Sequence, residues 1–198
     1  MIMYSKFKRI FDLFFSILAV IGLAPLLIIL AALVRVNIGR GILFSQHRPG
    51  RNGRLFKIYK FRTMLDSDPN APRSDEDRIT DFGRFLRATS LDELPSLINI
   101  IKGDMSFVGP RPLLVEYLAK YSPEEFRRHD VLPGLSGLAQ VRGRNNLSWR
   151  NKFRYDLFYV KKIGFLFDMK IILETVIVVI TRAGFRSHGE VKKFGDER

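Results

Sequence analysis

Asp92 and Glu93 stand side by side in the stretch TSLDELPSL, residues 89–97, just ahead of a proline and an apolar run in a chain that is otherwise strongly basic. A carboxylate can attack phosphorus and form an acyl phosphate, dividing one difficult transfer into two, while a neighbouring carboxylate holds Mg²⁺ on diphosphate oxygens. Cations suited to such a substrate lie close in sequence: Arg84 and Arg87 upstream, Lys102 downstream, and Arg111 in the rigid Gly109-Pro110-Arg111-Pro112 turn. A helix N-terminus would add backbone N–H groups for the same anion. A structural role competes with this chemistry. Ser90-Leu91-Asp92-Glu93 matches the S-x-x-E capping box, and acidic residues in a first turn suit the helix dipole. Pro95, however, is best accommodated as a first helical residue, which places both carboxylates just outside the helix and free to point away.

The elements that position these residues begin with an apolar segment. Leu13 to Val34 is a run of 22 residues whose only polar side chain is Ser16, long enough to cross a hydrocarbon core. Lys6, Lys8 and Arg9 precede it and Arg35 and Arg40 follow it, so both ends prefer the cytoplasmic face. Within it, Gly22-Leu23-Ala24-Pro25 is the expected break, because proline removes a backbone donor and disfavours a helical residue before it. Two arrangements fit: a re-entrant helix–break–helix returning to the same side, or a kinked straight span. A cleaved signal peptide ranks last, since the run exceeds the usual apolar core of such peptides.

Beyond residue 40, GILFSQ (41–46) and LFKIYKFRTM (55–64) flank the turn signals Pro49-Gly50 and Asn52-Gly53 and predict a β-hairpin. Residues 65–80 read as a polar surface loop. A short helix is expected over 81–87, and Leu94, Leu97, Ile98 and Ile101 recur on one helical face ending near Gly103. Residues 115–130 predict two short helices with Ser122-Pro123 as a start signal. Residues 131–146 hold three glycines among alternating apolar residues and predict a loop and short strand rather than helix. Helix resumes over about 148–163. Met169 to Ile180 is a second apolar segment, interrupted by Lys170 and Glu174 and too short to span, hence an interfacial or core helix. Arg182, Arg186, Lys192 and Lys193 near it favour an anionic membrane surface. The expected fold class is a helix-rich α+β protein, with residues 1–40 as the membrane element and 41–198 as the catalytic domain.

Composition narrows the partners. The 198 residues carry a net charge of +13 and no cysteine. An anionic partner is implied, while disulfides, thiolate metal sites and cysteine nucleophiles are excluded. His47, His129 and His188 show no metal-ligand spacing and read as surface or loop residues. Nucleic acid is disfavoured because the basic residues are dispersed and accompany the apolar segments. A non-catalytic basic membrane adaptor, with Asp92-Glu93 as a cap, stands as the alternative to an enzyme.

Five ordered blocks then carry a resemblance over nearly the whole chain: KRIFDLFFSILAVIGLAPLLIILAAL, FSQHRPGRNGRLFKIYKFRTM, LRATSLDELPSLINIIKGDMSFVGPRPLL, LPGLSGLAQVRGRN and YDLFYVKKIGFLFDMKIILETV. In this order they resemble the small monotopic phosphoglycosyl transferases of bacteria, within the bacterial sugar transferase family. The resemblance implies a monotopic protein on the cytoplasmic face of the bacterial inner membrane, with a re-entrant N-terminal segment. It implies that Asp92 attacks the β-phosphate of a UDP-sugar and releases UMP, that Glu93 coordinates Mg²⁺, and that polyprenyl phosphate, most simply undecaprenyl phosphate, accepts the phosphosugar. By the same matching Arg87, Arg111, Lys60 and Arg62 are phosphate-binding candidates, and Arg144 and Asn145 face the nucleotide. The chain departs from the family at Leu132 to Leu138, where PGITGWAQ-like residues are common, at Arg142 in place of a frequent Asn, and at Ala24-Pro25 where Ser-Pro is common. These departures touch the donor site and the helix break, and leave the two carboxylates in place.

Overall fold

The computed structural model describes residues 2–66, 74–143, 146–181 and 194–195. Helix α1 (Ile2–Gly22) runs into α2 (Ala24–Asn37) with a bend of 65°. The bend falls where GLAP predicts it. Pro25 sits in the first turn of α2, and Leu23 bridges the break by donating to Ala19 O at 2.8 Å and accepting from Leu27 N at 2.8 Å. No single described helix is long and apolar enough to cross a membrane; the bent pair together meets that requirement.

Strands β1 (Leu43–Pro49) and β2 (Leu55–Phe61) form the expected antiparallel hairpin, in register from Leu43↔Phe61 to Pro49↔Leu55. The connection is a tight 3₁₀ turn in which Asn52 and Gly53 take φ of 57° and 73°, the left-handed region those residue types tolerate. Short helices α3 (Asp75–Arg78) and α4 (Asp81–Thr89) follow, each capped by the side chain before it, Ser74 and Thr80. A 3₁₀ turn (Leu91–Ser96) then leads into α5 (Leu97–Lys102), which ends on Gly103 at φ 87°.

Strand β3 (Ser106–Val108) pairs in parallel with β4 (Gly134–Ser136). Between them lie a 3₁₀ turn (Val115–Lys120), α6 (Pro123–Phe126) with a complete Ser122/Glu125 capping box, and a second 3₁₀ turn (Arg127–Asp130). The expectation of non-helical chain through 131–146 fails in part, because α7 (Leu138–Arg142) is helical. The nearby glycines serve close approach instead: a Cβ at Gly134 or Gly137 would lie 2.1 Å or 2.3 Å from the Gly109 backbone. Helices α8 (Trp149–Lys162), capped by Ser148, and α9 (Phe165–Thr181) complete the elements.

Both ends of the bent pair pack into the same body. On α1, Arg9 donates to Ile100 O (2.6 Å) and Ile101 O (2.7 Å), satisfying carbonyls at the C-terminus of α5. Asp12, buried, accepts from Phe107 N at 3.2 Å, and Tyr4 and Lys8 both reach Asp168 on α9 at 2.5 Å. Leu30 and Val34 on α2, with Ile38 just beyond its end, form a buried cluster with Phe61 and Leu86. The opposite faces of these helices and of α9 are apolar and exposed, including Phe14, Leu18, Ile28, Val36, Leu166 and Ile180. His129 corrects the surface reading of the histidines. It is buried, with Nδ1 3.1 Å from Gly50 O, because the 3₁₀ turn at 127–130 tucks it under the hairpin turn.

Candidate active site

The capping box at Ser90 does not form. Ser90 ends α4 with φ 58° and ψ 16°, and its side chain makes no capping bond to the turn that follows. An N-cap needs extended backbone, so a residue already closing one helix in the left-handed region cannot open the next. Pro95 also does not start that turn; it lies inside it, so Asp92 and Glu93 are part of the 3₁₀ turn rather than ahead of a helix. The structural duty foreseen for Glu93 is therefore absent, and its carboxylate is directed elsewhere.

Lys60 and Arg111 claim it. Lys60 Nζ lies 2.6 Å and Arg111 Nη2 2.7 Å from the same oxygen, Glu93 Oε1. Lys60 reaches this position through its backbone neighbour. Tyr59 N donates to buried Asn99 Oδ1 (3.1 Å), while Tyr59 O accepts from Ser96 Oγ (2.7 Å). Asn99 Nδ2 adds a bond to Lys57 O at 2.8 Å. The free edge of β2 is thus sewn to α5 and to the turn carrying the carboxylates, and the next side chain along β2 points at Glu93.

Arg111 is placed by a second framework. Gly109 N donates to Ser136 O (2.9 Å) and Gly134 N to Pro110 O (3.1 Å), locking the Gly-Pro-Arg-Pro turn onto β4. Buried Arg128 donates through Nη2 to Arg111 O at 2.7 Å and is itself held by Asp156 Oδ2 at 2.7 Å and 3.0 Å. Arg87 completes the ring from α4: its Nε donates to buried Thr63 Oγ1 at 2.9 Å, and its charge acts on Asp92. Gly83 permits that approach, since a Cβ there would lie 2.0 Å from Thr63 O.

Asp92 is 8% exposed. Burial first, then the neighbouring Glu93 charge, push its carboxyl up to about 6, against the pull of Lys60, Arg111 and Arg87. Burial also opposes ionisation of Glu93, but Arg111 and Lys60 overcome it and hold that carboxyl well below its ordinary range. Two adjacent carboxyls pushed in opposite directions take distinct roles: one permanently charged and fixed, one poised near neutrality.

Of the residues singled out in the sequence, Lys60, Arg87, Asp92, Glu93 and Arg111 come together. Arg62 instead pairs with Asp66 and passes beneath Gly41, where a Cβ would lie 2.7 Å from its Nη2. Arg144 and Asn145 lie outside the described residues. Thr63, Asn99, Arg128 and Asp156 were not legible as site residues. Thr63 alone had a signal, as the residue that follows Arg62 in the basic KFRTM block.

The donor set admits a magnesium ion. Among the described residues no cluster of three or more acidic or histidine ligands exists. Mg²⁺ at a diphosphate commonly needs only one or two protein carboxylates, the rest being water and phosphate oxygens. Both recorded hydrogen bonds to Glu93 fall on Oε1, and among the described residues none reaches Oε2.

A buried carboxylate ringed by cations suits group transfer from an anionic substrate. The chain belongs to the bacterial sugar transferase family, whose model matches residues 3–182. It is 44% identical over 186 residues to the uncharacterized sugar transferase EpsL of Bacillus subtilis, covering 93% of this chain and 92% of that protein. It is 39% identical over 197 residues to the exopolysaccharide production protein ExoY of Sinorhizobium fredii, covering 89% and 87%. The undecaprenyl-phosphate galactose phosphotransferase of Salmonella typhimurium is 40% identical over 200 residues, covering 91% of this chain and 42% of that longer protein.

Proposed function

We propose that this enzyme transfers a phosphosugar from a UDP-sugar to a polyprenyl phosphate, most simply undecaprenyl phosphate, through a covalent intermediate on Asp92. An Asp92 carboxylate oxygen attacks the β-phosphorus, the bond from that phosphorus to the bridging oxygen breaks, and UMP leaves with the electron pair. A phosphate oxygen of the lipid then attacks the same phosphorus, and the Asp92 carboxylate leaves. Lys60, Arg87 and Arg111 bind and orient the phosphate oxygens, and the fixed charge of Glu93 keeps Lys60 and Arg111 in place. Glu93 is the residue that would hold Mg²⁺, which when bound neutralises charge on the diphosphate. The relatives named for undecaprenyl-phosphate galactose phosphotransfer and UDP-galactose–lipid carrier transfer support the donor and acceptor classes. The observation that carries the reading is the buried Asp92 among three cations with its partner carboxylate already neutralised.

The reaction starts from ionised Asp92, so UMP release under kcat/KM conditions is expected to rise tenfold per pH unit below about 6 and level off above it. Lys60→Met removes a charge that lowers the Asp92 pKa, so the rising limb should move to higher pH. A limb unmoved by that variant excludes Asp92 as its source.

The membrane segment is proposed to be re-entrant, with the catalytic body on the cytoplasmic face and phospholipid against the apolar faces. Anchoring of both α1 and α2 in one body, with basic residues at both ends, supports this. The chain has no cysteine, so Ser5→Cys and Asn37→Cys give clean probes of the two exposed ends. Both are expected to react with an impermeant maleimide only from the cytoplasmic side. Periplasmic labelling of position 5 means a full span.

A further inference from the structure

Arg48 is a cation that the ring around Asp92 does not account for. On the hairpin, directly opposed residues share a face, so the pairs Phe44↔Lys60, Gln46↔Ile58 and Arg48↔Phe56 place Arg48 on the same face as Lys60. Four residues separate Arg48 from the position opposite Lys60, roughly 13 Å along the strand. Arg48 is half-buried, and its recorded hydrogen bond is to the neutral Gln46 Oε1 at 2.7 Å. Among the described residues no carboxylate forms an ion pair with it. The charge that acts on it most strongly is a like one, Arg111. The next residue, Pro49, lines a small cleft with Pro110, Arg111, Pro112 and Arg128.

Burying a guanidinium beside a second one, with a neutral amide as its partner, is unfavourable unless an anion completes the site. Burial and Arg111 together lower the Arg48 pKa, which marks the same deficit of negative charge. Glu93 neutralises Arg111 on the Asp92 side; among the described residues no carboxylate does the same for Arg48. The cation trail therefore continues from Lys60 through Arg111 to Arg48, away from the attacking carboxylate.

Resting on the transfer reaction proposed above, we infer that Arg48, together with Arg111, forms the subsite for the nucleotide-side phosphate of the donor, the group that departs as UMP. When the bond between the β-phosphorus and the bridging oxygen breaks, its electron pair goes to the departing phosphate. Arg111, paired with Glu93 and acting electrostatically on Arg48, would contact both phosphates, while Arg48 would meet the departing one, whose charge grows as the bond breaks. Arg48 is thus a donor-binding residue whose contact strengthens along the reaction. A phosphate monoester is the shared chemistry of UMP and of the lipid acceptor, and the two half-reactions separate them.

The test measures Arg48→Gln and Arg48→Lys in detergent, with donor turnover and acceptor turnover assayed apart. Arg48→Gln is expected to raise the donor KM and slow UMP release by about ten- to a hundredfold in kcat/KM. It should weaken UMP product inhibition to a similar degree and leave the polyprenyl phosphate KM unchanged, with Arg48→Lys recovering part of the loss. Thermal midpoints within a few degrees of the parent show that the variants fold. Unchanged donor parameters and UMP inhibition overturn the inference, as does an effect confined to the acceptor KM, which assigns Arg48 to the lipid phosphate. Failure of the unaltered enzyme to release UMP from any UDP-sugar overturns the reaction instead, and is told apart by that control.

Discussion

Asp92→Asn is expected to abolish UMP release, by a thousandfold or more on the order of other lost nucleophiles, while making the protein more stable at pH 7.5. The two effects share one cause. An aspartate whose carboxyl is pushed up to about 6 in the folded chain is ionised there against the environment around it. The folded state binds that proton more tightly than the unfolded chain, so this group's favourable contribution is complete below the unfolded pKa near 4 and is lost as pH rises through about 6. Above that pH the ionised side chain destabilises the fold by about 2–3 kcal/mol, the free energy of a shift of roughly two units. Asparagine has the same shape and no charge. Its thermal midpoint should exceed the parent's by about 4–12 °C at pH 7.5, from roughly 2–4 °C per kcal/mol in a chain of this size, and the two should converge near pH 4. Activity and stability moving in opposite directions is what a site held in strain for chemistry predicts. A helix cap predicts neither effect, since an asparagine oxygen caps as well as a carboxylate and would leave both properties nearly unchanged. Retained turnover in this variant removes the nucleophile; an unchanged pH dependence of stability removes the perturbed carboxyl.

How far the sequence reached depends on the range of the interactions involved. The hairpin, the break at Pro25, the helix start at Ser122-Pro123 and the starts of α4 and α8 rest on contacts within a few residues, and the chain displays them locally. Ser90 misled because its S-x-x-E pattern is equally local; the competing demand, closure of α4 in the left-handed region, came from the preceding helix. The glycines of 134–143 misled for a longer-range reason. Gly134 and Gly137 avoid the Gly109 backbone, some two dozen residues earlier in sequence, which no periodicity records. The acidic pair and its nearest cations were visible as residue types. The side chains that aim them were not: Asn99 acts on β2 across 42 residues and Arg128 on Asp156 across 28. Nothing in the composition of FRRHD or YDLFY marks them as partners until the fold brings α8 against the turn at 127–130.

That hidden pair yields the largest expected effect on stability. Asp156→Asn should leave the Arg128 guanidinium, which is 2% exposed, without its counter-charge. Removing one partner of a buried ion pair costs about 3–5 kcal/mol, because the charge left behind can neither rehydrate nor be neutralised. The thermal midpoint should fall by roughly 10 °C. The same change loosens catalysis by a separate route, since Arg128 also donates to Arg111 O and so fixes the turn that presents Arg111 to Glu93. The double variant Arg128→Met, Asp156→Leu separates the two. It removes both charges and fills the space, and it should recover most of the lost stability. It cannot restore the donor to Arg111 O, so donor kcat/KM should stay low even where the midpoint returns toward the parent's. Recovery of both together would make the pair a packing element alone. Stability regained without turnover would make Arg128 a positioning residue, holding from a buried seat the arginine that neutralises Glu93.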